Sequence, residues 1–215
     1  KKLINWAEKN LHKGYFKMED VHHGSELFLG FLPRYIDLFP DNLEAKELII
    51  NVSNLIGNWD KETEDWYNYS LKNFNSWYFG SEGISDRDNY KFNTADHLRF
   101  VHIALLAWNI TSSQKYLDWS IDYSKQFAEK IIIAKETIPV AWNCEWNEFF
   151  SKDMINPEEK FLASTHHHFK NDPLSGIENL IASGFIFIFG ELYQITNDNI
   201  FLEASKKIIN NLIPI

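Results

Sequence analysis

An all-α fold of repeated antiparallel helical hairpins is predicted by three features of this sequence. Apolar residues recur at three- and four-residue spacing in window after window, the pattern of amphipathic helices. Windows that are apolar nearly all round, which mark buried helices, alternate with windows that keep a polar face toward water. The turns FPDN, ITSS and ITND, which join one kind to the other, carry the Pro, Asn, Asp and Ser that stop one helix and cap the next.

The elements follow in order. Leu3, Ile4, Ala7 and Leu11 form the first amphipathic stripe. SELFLGFLPRYIDLF is then apolar all round and predicts an inner helix over 24–40, and Ala45, Leu48, Ile49, Val52, Leu55 and Ile56 predict an outer helix over 43–58. DHLRFVHIALLAWNI gives a second inner helix, 96–111, and Leu117, Ile121, Ala128, Ile131 and Ile132 a second outer one, 115–134. GIENLIASGFIFIFGELYQI gives a third inner helix, 176–195, and Phe201, Ala204, Ile208 and Leu212 place the last outer helix over 199–213. Tyr35, Trp108 and Tyr193 close the inner helices, and eight residues later Leu43, Tyr116 and Phe201 open the outer ones, so the register is that of one hairpin in three copies. KKLIN at the start resembles KKIIN at 206–210, as if the chain begins partway into the outer helix of a preceding copy. The 215 residues are therefore expected to form a single helical domain that is a piece of a longer chain.

Composition excludes several functions. The net charge is -9 with no basic cluster, which removes the Lys/Arg surface that nucleic acid requires. No apolar run is long enough to span a membrane; LIASGFIFIFGELY is short and contains Glu191. The single Cys144 forms no internal disulfide and fits a cytoplasmic or a periplasmic protein equally, and no signal segment is visible. No cofactor is expected, because the chain has no Gly-rich phosphate loop, dinucleotide fingerprint or serine nucleophile elbow. No metal is expected either: there is no HExxH or Cys-His signature, and the three successive histidines of THHHFKND cannot share a helix face. Aromatic residues, 16% of the chain with 8 Trp, are unusually many.

A buried inner helix, a short turn of the T-x-D/S type and an exposed outer helix resemble the hairpins of the (α/α) toroid carbohydrate-active enzymes, the six-hairpin glycosidases and toroidal polysaccharide lyases. The likeness is architectural and covers the whole chain. Short-period helical repeats fit less well, because the copies are spaced by 73 and 85 residues. Three and a half hairpins are fewer than a closed ring has, so the chain reads as an incomplete or truncated toroid whose exposed hairpin ends could self-associate. The resemblance implies a carbohydrate substrate.

The long connections, 60–94 and 136–175, both follow outer helices, so they share one end of the array with the amino ends of the inner helices. This places His22, His23 and Glu26 at the mouth of a helical funnel, with Asp96, His97 and Arg99 from the second copy and His166, His167, His168, Asp172 and Glu178 from the third. Asp96, Arg99 and His102 fall on one narrow face of an otherwise apolar helix, where they serve either a ligand or a structural ion-pair network. Trp66, Tyr67, Trp77, Tyr78, Trp142 and Trp146 in the connections are candidate platforms for sugar rings, with coverage of the apolar end as the alternative. Hydrolysis of a glycosidic bond would draw on two carboxylates, Glu26 and Asp96. Elimination from a uronate would instead use Arg99 as the cation and His23, His97 or a tyrosine as the base. The substrate-contacting set is then His22, Trp66, Trp77, Tyr78, His102, Trp142, Trp146, His167, Asp172 and Glu178. A non-catalytic helical module that binds glycan or protein is the competing reading.

Overall fold

The structure is a computed structural model and describes residues 2–134, 138, 141–147 and 175–212. Helix α1 (Lys2–Asn10) is followed by a first inner helix that runs as α2 (Val21–Glu26), a π-helical turn (Leu27–Phe31) and α3 (Leu32–Leu38). Pro33 accounts for the interruption. It has no N–H to give to the carbonyl four residues back, and the chain widens by one residue just before it, so that the Leu32 N–H reaches Leu27 O.

The outer helix α4 (Leu43–Ile56) starts where the Asn42 side chain accepts from the Ala45 N–H at 2.8 Å and ends at Gly57. The second hairpin pairs a 3-10 turn (Ala95–Leu98) and α5 (Arg99–Thr111) with α6 (Gln114–Ile133). The third pairs α7 (Ser175–Ala182) and α8 (Phe185–Thr196) with α9 (Asn199–Leu212). The result is an all-α arc of antiparallel hairpins, inner helices on one side and outer helices on the other. Phe100 and Ile103 are fully buried, whereas Lys46 and Lys125 are half-exposed, as the inner and outer assignments require.

The repeat extends to single hydrogen bonds. The carbonyls of Tyr35, Trp108 and Tyr193 accept the closing N–H of Phe39, Ser112 and Asn197 at 2.9, 2.7 and 2.8 Å. Ser112 and Asn197 both take left-handed backbone angles there, φ 57° and 56°. In the second and third hairpins a threonine, Thr111 or Thr196, returns its hydroxyl to the carbonyl four residues back and accepts from the N–H two residues on.

The connection over 60–94 is structured by short antiparallel strands that the sequence pattern does not reveal. Strand β1 (Glu19–Asp20) pairs with β4 (Tyr78–Gly80), which pairs with β5 (Gly83–Ile84); β2 (Tyr67–Asn68) pairs with β3 (Asn73–Phe74); β6 (Phe92–Thr94) pairs with β7 (Ala141–Asn143). Strand β1 leads directly into α2 and β6 into the 3-10 turn, so these small sheets brace the amino ends of two inner helices.

Among the described residues, most of the candidate platform aromatics of the connections are core of this end, which corrects the platform reading for them. Trp66, Trp77 and Trp142 are at most 1% exposed and Trp146 is 6% exposed. Trp66 stacks on Phe79 at 4.5 Å and Trp77 on Phe92 at 5.4 Å, so their ring faces are already covered by protein. Tyr67 is buried as well; Tyr78 is half-buried and stacks on Tyr90.

Candidate functional site

The amino ends of the inner helices come together: α2 packs on the 3-10 turn and on α5, and α7 packs on the same 3-10 turn. Each end is fixed by a local device. Asp20 caps α2 by accepting from the His23 N–H at 2.9 Å. Thr94 caps the 3-10 turn in a capping box whose third residue is His97 in place of the usual Glu or Gln.

At the contact, His22 Nδ1 lies 3.2 Å from Asp96 Oδ1, and Arg99 Nε lies 3.3 Å from the same oxygen. Arg99 also donates from Nη1 to the His22 carbonyl at 3.2 Å. His22 Nε2 lies 3.7 Å from Glu26 Oε1, one helical turn on. Asp96 is 2% exposed, Arg99 is largely buried, His22 is half-buried and Glu26 reaches solvent. A carboxylate ion-paired to a guanidinium accepts hydrogen bonds only, so Nδ1 of His22 carries the donated proton and Nε2 is its basic nitrogen. The ring is thereby held in one tautomer and orientation by a buried acid, with a second carboxylate beside its basic atom.

The other predicted residues divide. His97 is fully buried: Nδ1 serves the Thr94 cap, Nε2 lies 3.1 Å from Ser76 O, and the ring packs on Phe74 at 4.9 Å. It is a structural histidine, which corrects its reading as a base. His23 pairs through Nδ1 with Asp20 Oδ2 at 2.6 Å, and that hydrogen bond is the main reason its pKa is raised. Its ring thus pairs with the same Asp20 that caps α2. Arg99 is paired with Asp96 and the His22 carbonyl, and Asp96 with His22 and Arg99, which is the ion-pair alternative for this helix face rather than a free cation for a uronate or half of a carboxylate pair. His167 and Asp172 lie outside the described residues, as do His166 and His168, and only the backbone of Glu178, on α7, is described. Among the described residues, Glu19, Asp20 and His23 bring potential metal ligand atoms within 4.8 Å of one another. Their hydrogen bonds to each other and to the α2 cap account for that grouping.

One turn further along the inner helices, the same face opens into a cleft of about 440 Å³ between α3, α5 and the α7–α8 junction. Its walls are apolar, with Phe28, Leu29, Leu105 and Leu106 among them, and its polar groups include His102, Asn109 and Glu191. Burial lowers the pKa of His102, the nearby backbone of Ser183 and Gly184 opposing it, so the ring is neutral at pH 7. Burial also raises the pKa of Glu191. Gly184 breaks the third inner helix with φ 77°, and a Cβ there would come within 2.6 Å of His102 Nε2. Asp20, Asn109 and Glu191 were not among the predicted site residues. Asp20 was signalled by its place at a helix start, and Glu191 by being the one acid late in an apolar window.

Comparison with known proteins agrees with the architecture. No family model and no curated protein matches the sequence. Among solved structures the chain is similar to the cellobiose 2-epimerase of Bacillus thermoamylovorans B4167, at TM-score 0.50 and 12% identity, over 90% of this chain and 60% of that one. The chain thus spans less than two thirds of that enzyme's length, and at this identity the likeness shows the helical-hairpin fold alone.

Proposed function

We propose that this chain is the ring-forming part of a carbohydrate-processing enzyme that moves a proton at a sugar carbon, with His22 as the proton-transferring group. The observation that carries this reading is the buried Asp96 carboxylate 3.2 Å from His22 Nδ1. It fits the requirement of a general base for one fixed tautomer and orientation. A carbon acid next to a carbonyl or carboxyl group would give its proton to His22 Nε2 while Nδ1–H stays on Asp96. The electron pair left behind either expels the substituent on the adjacent carbon, forming a C=C bond, or takes a proton back from the opposite face. Glu26, whose Oε1 lies 3.7 Å from Nε2, would pass the abstracted proton from Nε2 to solvent, and solvent water would supply the proton taken up at the opposite face or by the departing group. The fold likeness to a cellobiose 2-epimerase adds support to sugar chemistry of this kind. Hydrolysis by Glu26 and Asp96 is less well served, because Asp96 is buried against a guanidinium.

The test is incubation with neutral sugars and with uronate oligosaccharides in D₂O. Proton transfer is read as deuterium at a sugar carbon, elimination as absorbance of the new C=C bond, and hydrolysis as reducing ends. His22→Gln is expected to lower the first two by about a hundredfold or more. Reducing ends without deuterium would overturn the assignment in favour of hydrolysis, and binding without any turnover would favour a glycan-binding module.

A further inference from the structure

Below the His22 cluster, the cleft between α3, α5 and α8 has the size and lining of a ligand site. Its volume, about 440 Å³, lies within the roughly 300–1,000 Å³ typical of small-molecule pockets. Leu29 and Leu106 offer apolar surface of the kind that packs on the C–H face of a pyranose, and a few polar groups stand among them, which is how orientation is set in such pockets.

The charge of the lining is one-sided. Among the described residues no Lys or Arg lines the cleft, and Arg99, one turn above, is engaged by Asp96. Glu191 is half-buried in the wall and makes no hydrogen bond or ion pair with any described residue. His102 is neutral because burial disfavours its charged form. Where Glu191 is ionised, an anionic ligand would therefore meet a carboxylate with no cation among the described residues to offset it. A neutral polyol has the opposite fit: its hydroxyls donate to Glu191, an acceptor only when ionised, and accept from the Asn109 amide.

We infer that this cleft is a subsite for an uncharged sugar ring, and that Glu191 sets the preference against uronates. The inference rests on the carbohydrate reading above but not on any chemistry at His22. Within that reading it narrows the alternatives, because a site that rejects uronates has no substrate for uronate elimination, which leaves proton exchange on a neutral sugar.

Binding is measured by titration calorimetry or ligand-observed NMR on the full chain, with cellobiose as the neutral probe and digalacturonate as the anionic one. Cellobiose is expected to bind at least about tenfold more tightly, since an unbalanced like charge disfavours the uronate. Glu191→Gln removes the charge and is expected to close most of that gap by strengthening digalacturonate. Leu106→Trp fills the cleft and is expected to abolish cellobiose binding. Asn109→Ala, at an exposed position that does not threaten folding, is expected to weaken it. Digalacturonate binding as tightly as cellobiose would overturn the inference. So would cellobiose binding that ignores Asn109→Ala, or that ignores Leu106→Trp where that variant folds. Loss of the deuterium-exchange signal with this binding pattern intact would refute the role of His22 and leave the subsite standing.

Discussion

Replacing Asp96 by Asn separates a positioning role from a purely structural one. Asp96 and Arg99 have side chains 3% and 11% exposed, so their contact is a buried ion pair, whose disruption typically costs about 3–5 kcal/mol. Asparagine keeps the shape and one acceptor oxygen, which places the loss near the lower end, at about 3 kcal/mol. For a chain of this size that is a fall in Tm of about 6–12 °C. The effect on turnover has a different origin. An amide can turn its NH₂ toward His22 Nδ1, which moves the ring proton to Nε2 and removes the basic lone pair. Turnover per folded molecule should then fall by about 10²–10⁴, the usual contribution of a general base. His22→Gln is the control: its side chain is 34% exposed and it should change stability by no more than about 1 kcal/mol while losing similar activity. The assays are thermal unfolding, deuterium exchange per folded molecule, and ¹⁵N NMR of the imidazole. A variant that loses stability but keeps its turnover per folded molecule and its Nδ1–H tautomer would refute the positioning role and leave Asp96 as a structural ion.

Three further outcomes follow from individual contacts. The Tyr15 hydroxyl is fully buried with no hydrogen-bond partner among the described residues, so Tyr15→Phe should raise stability by about 1–3 kcal/mol in equilibrium unfolding; a loss instead would mean that the hydroxyl is satisfied in solution. Gly184→Ala forces an L side chain to φ 77° and toward His102 Nε2, and should destabilise by more than about 1 kcal/mol, with the His102 resonances shifted in NMR. The pKa of His23 is raised in the folded state, chiefly by its hydrogen bond to Asp20, so its stabilisation is complete below the ordinary value near 6.5 and is lost as pH rises through the raised one. The ring is 62% exposed, which limits the effect to under about 1 kcal/mol, and His23→Gln should flatten that part of the stability–pH curve.

The helices were legible because their signals are long. A stripe such as Leu117, Ile121, Ala128, Ile131 and Ile132 samples several turns, and turn residues at Asn42, Ser112 and Asn197 punctuate it where the backbone stops. Strands of two or three residues hold too little of a period-two pattern to register, so β1 to β7 stayed hidden, and with them the reason why Trp66 and Trp77 are core. Composition could show that aromatics were plentiful but not which side of a strand each would occupy. His97 misled for a related cause: its charge-bearing side chain suggested chemistry, while three residues upstream Thr94 marked it as half of a cap. The spacing of Asp96, Arg99 and His102 did predict a shared face, but their pairing with His22 depends on α2 and α5 meeting, a tertiary contact that no local pattern encodes.

That meeting is itself over-determined, which bears on how the His22 geometry can be maintained. Strand β1 ties Glu19 and Asp20 to Phe79 and Tyr78, and the following residue opens α2, so the helix start cannot slide. Gly24 lies against the Tyr15 hydroxyl so tightly that a Cβ there would collide with it, which fixes the rotation of α2 about its axis. On the other side, β6 is paired with β7 and ends at Thr94, whose cap orients the turn that carries Asp96. Two helix ends are thus anchored independently, and His22 and Asp96 are brought within 3.2 Å by backbone already fixed in place. The anchoring predicts an asymmetry between variants. Gly24→Ala, which touches neither charge, must push α2 away from Tyr15 and should disturb proton transfer as Asp96→Asn does, but with the ring tautomer unchanged. Combining it with Tyr15→Leu, which removes the obstructing hydroxyl and ring edge, should restore part of both stability and turnover. Equal losses with and without Tyr15→Leu would mean that Tyr15 does not set the helix rotation, and that the His22 geometry is held by the Asp96–Arg99 pair alone.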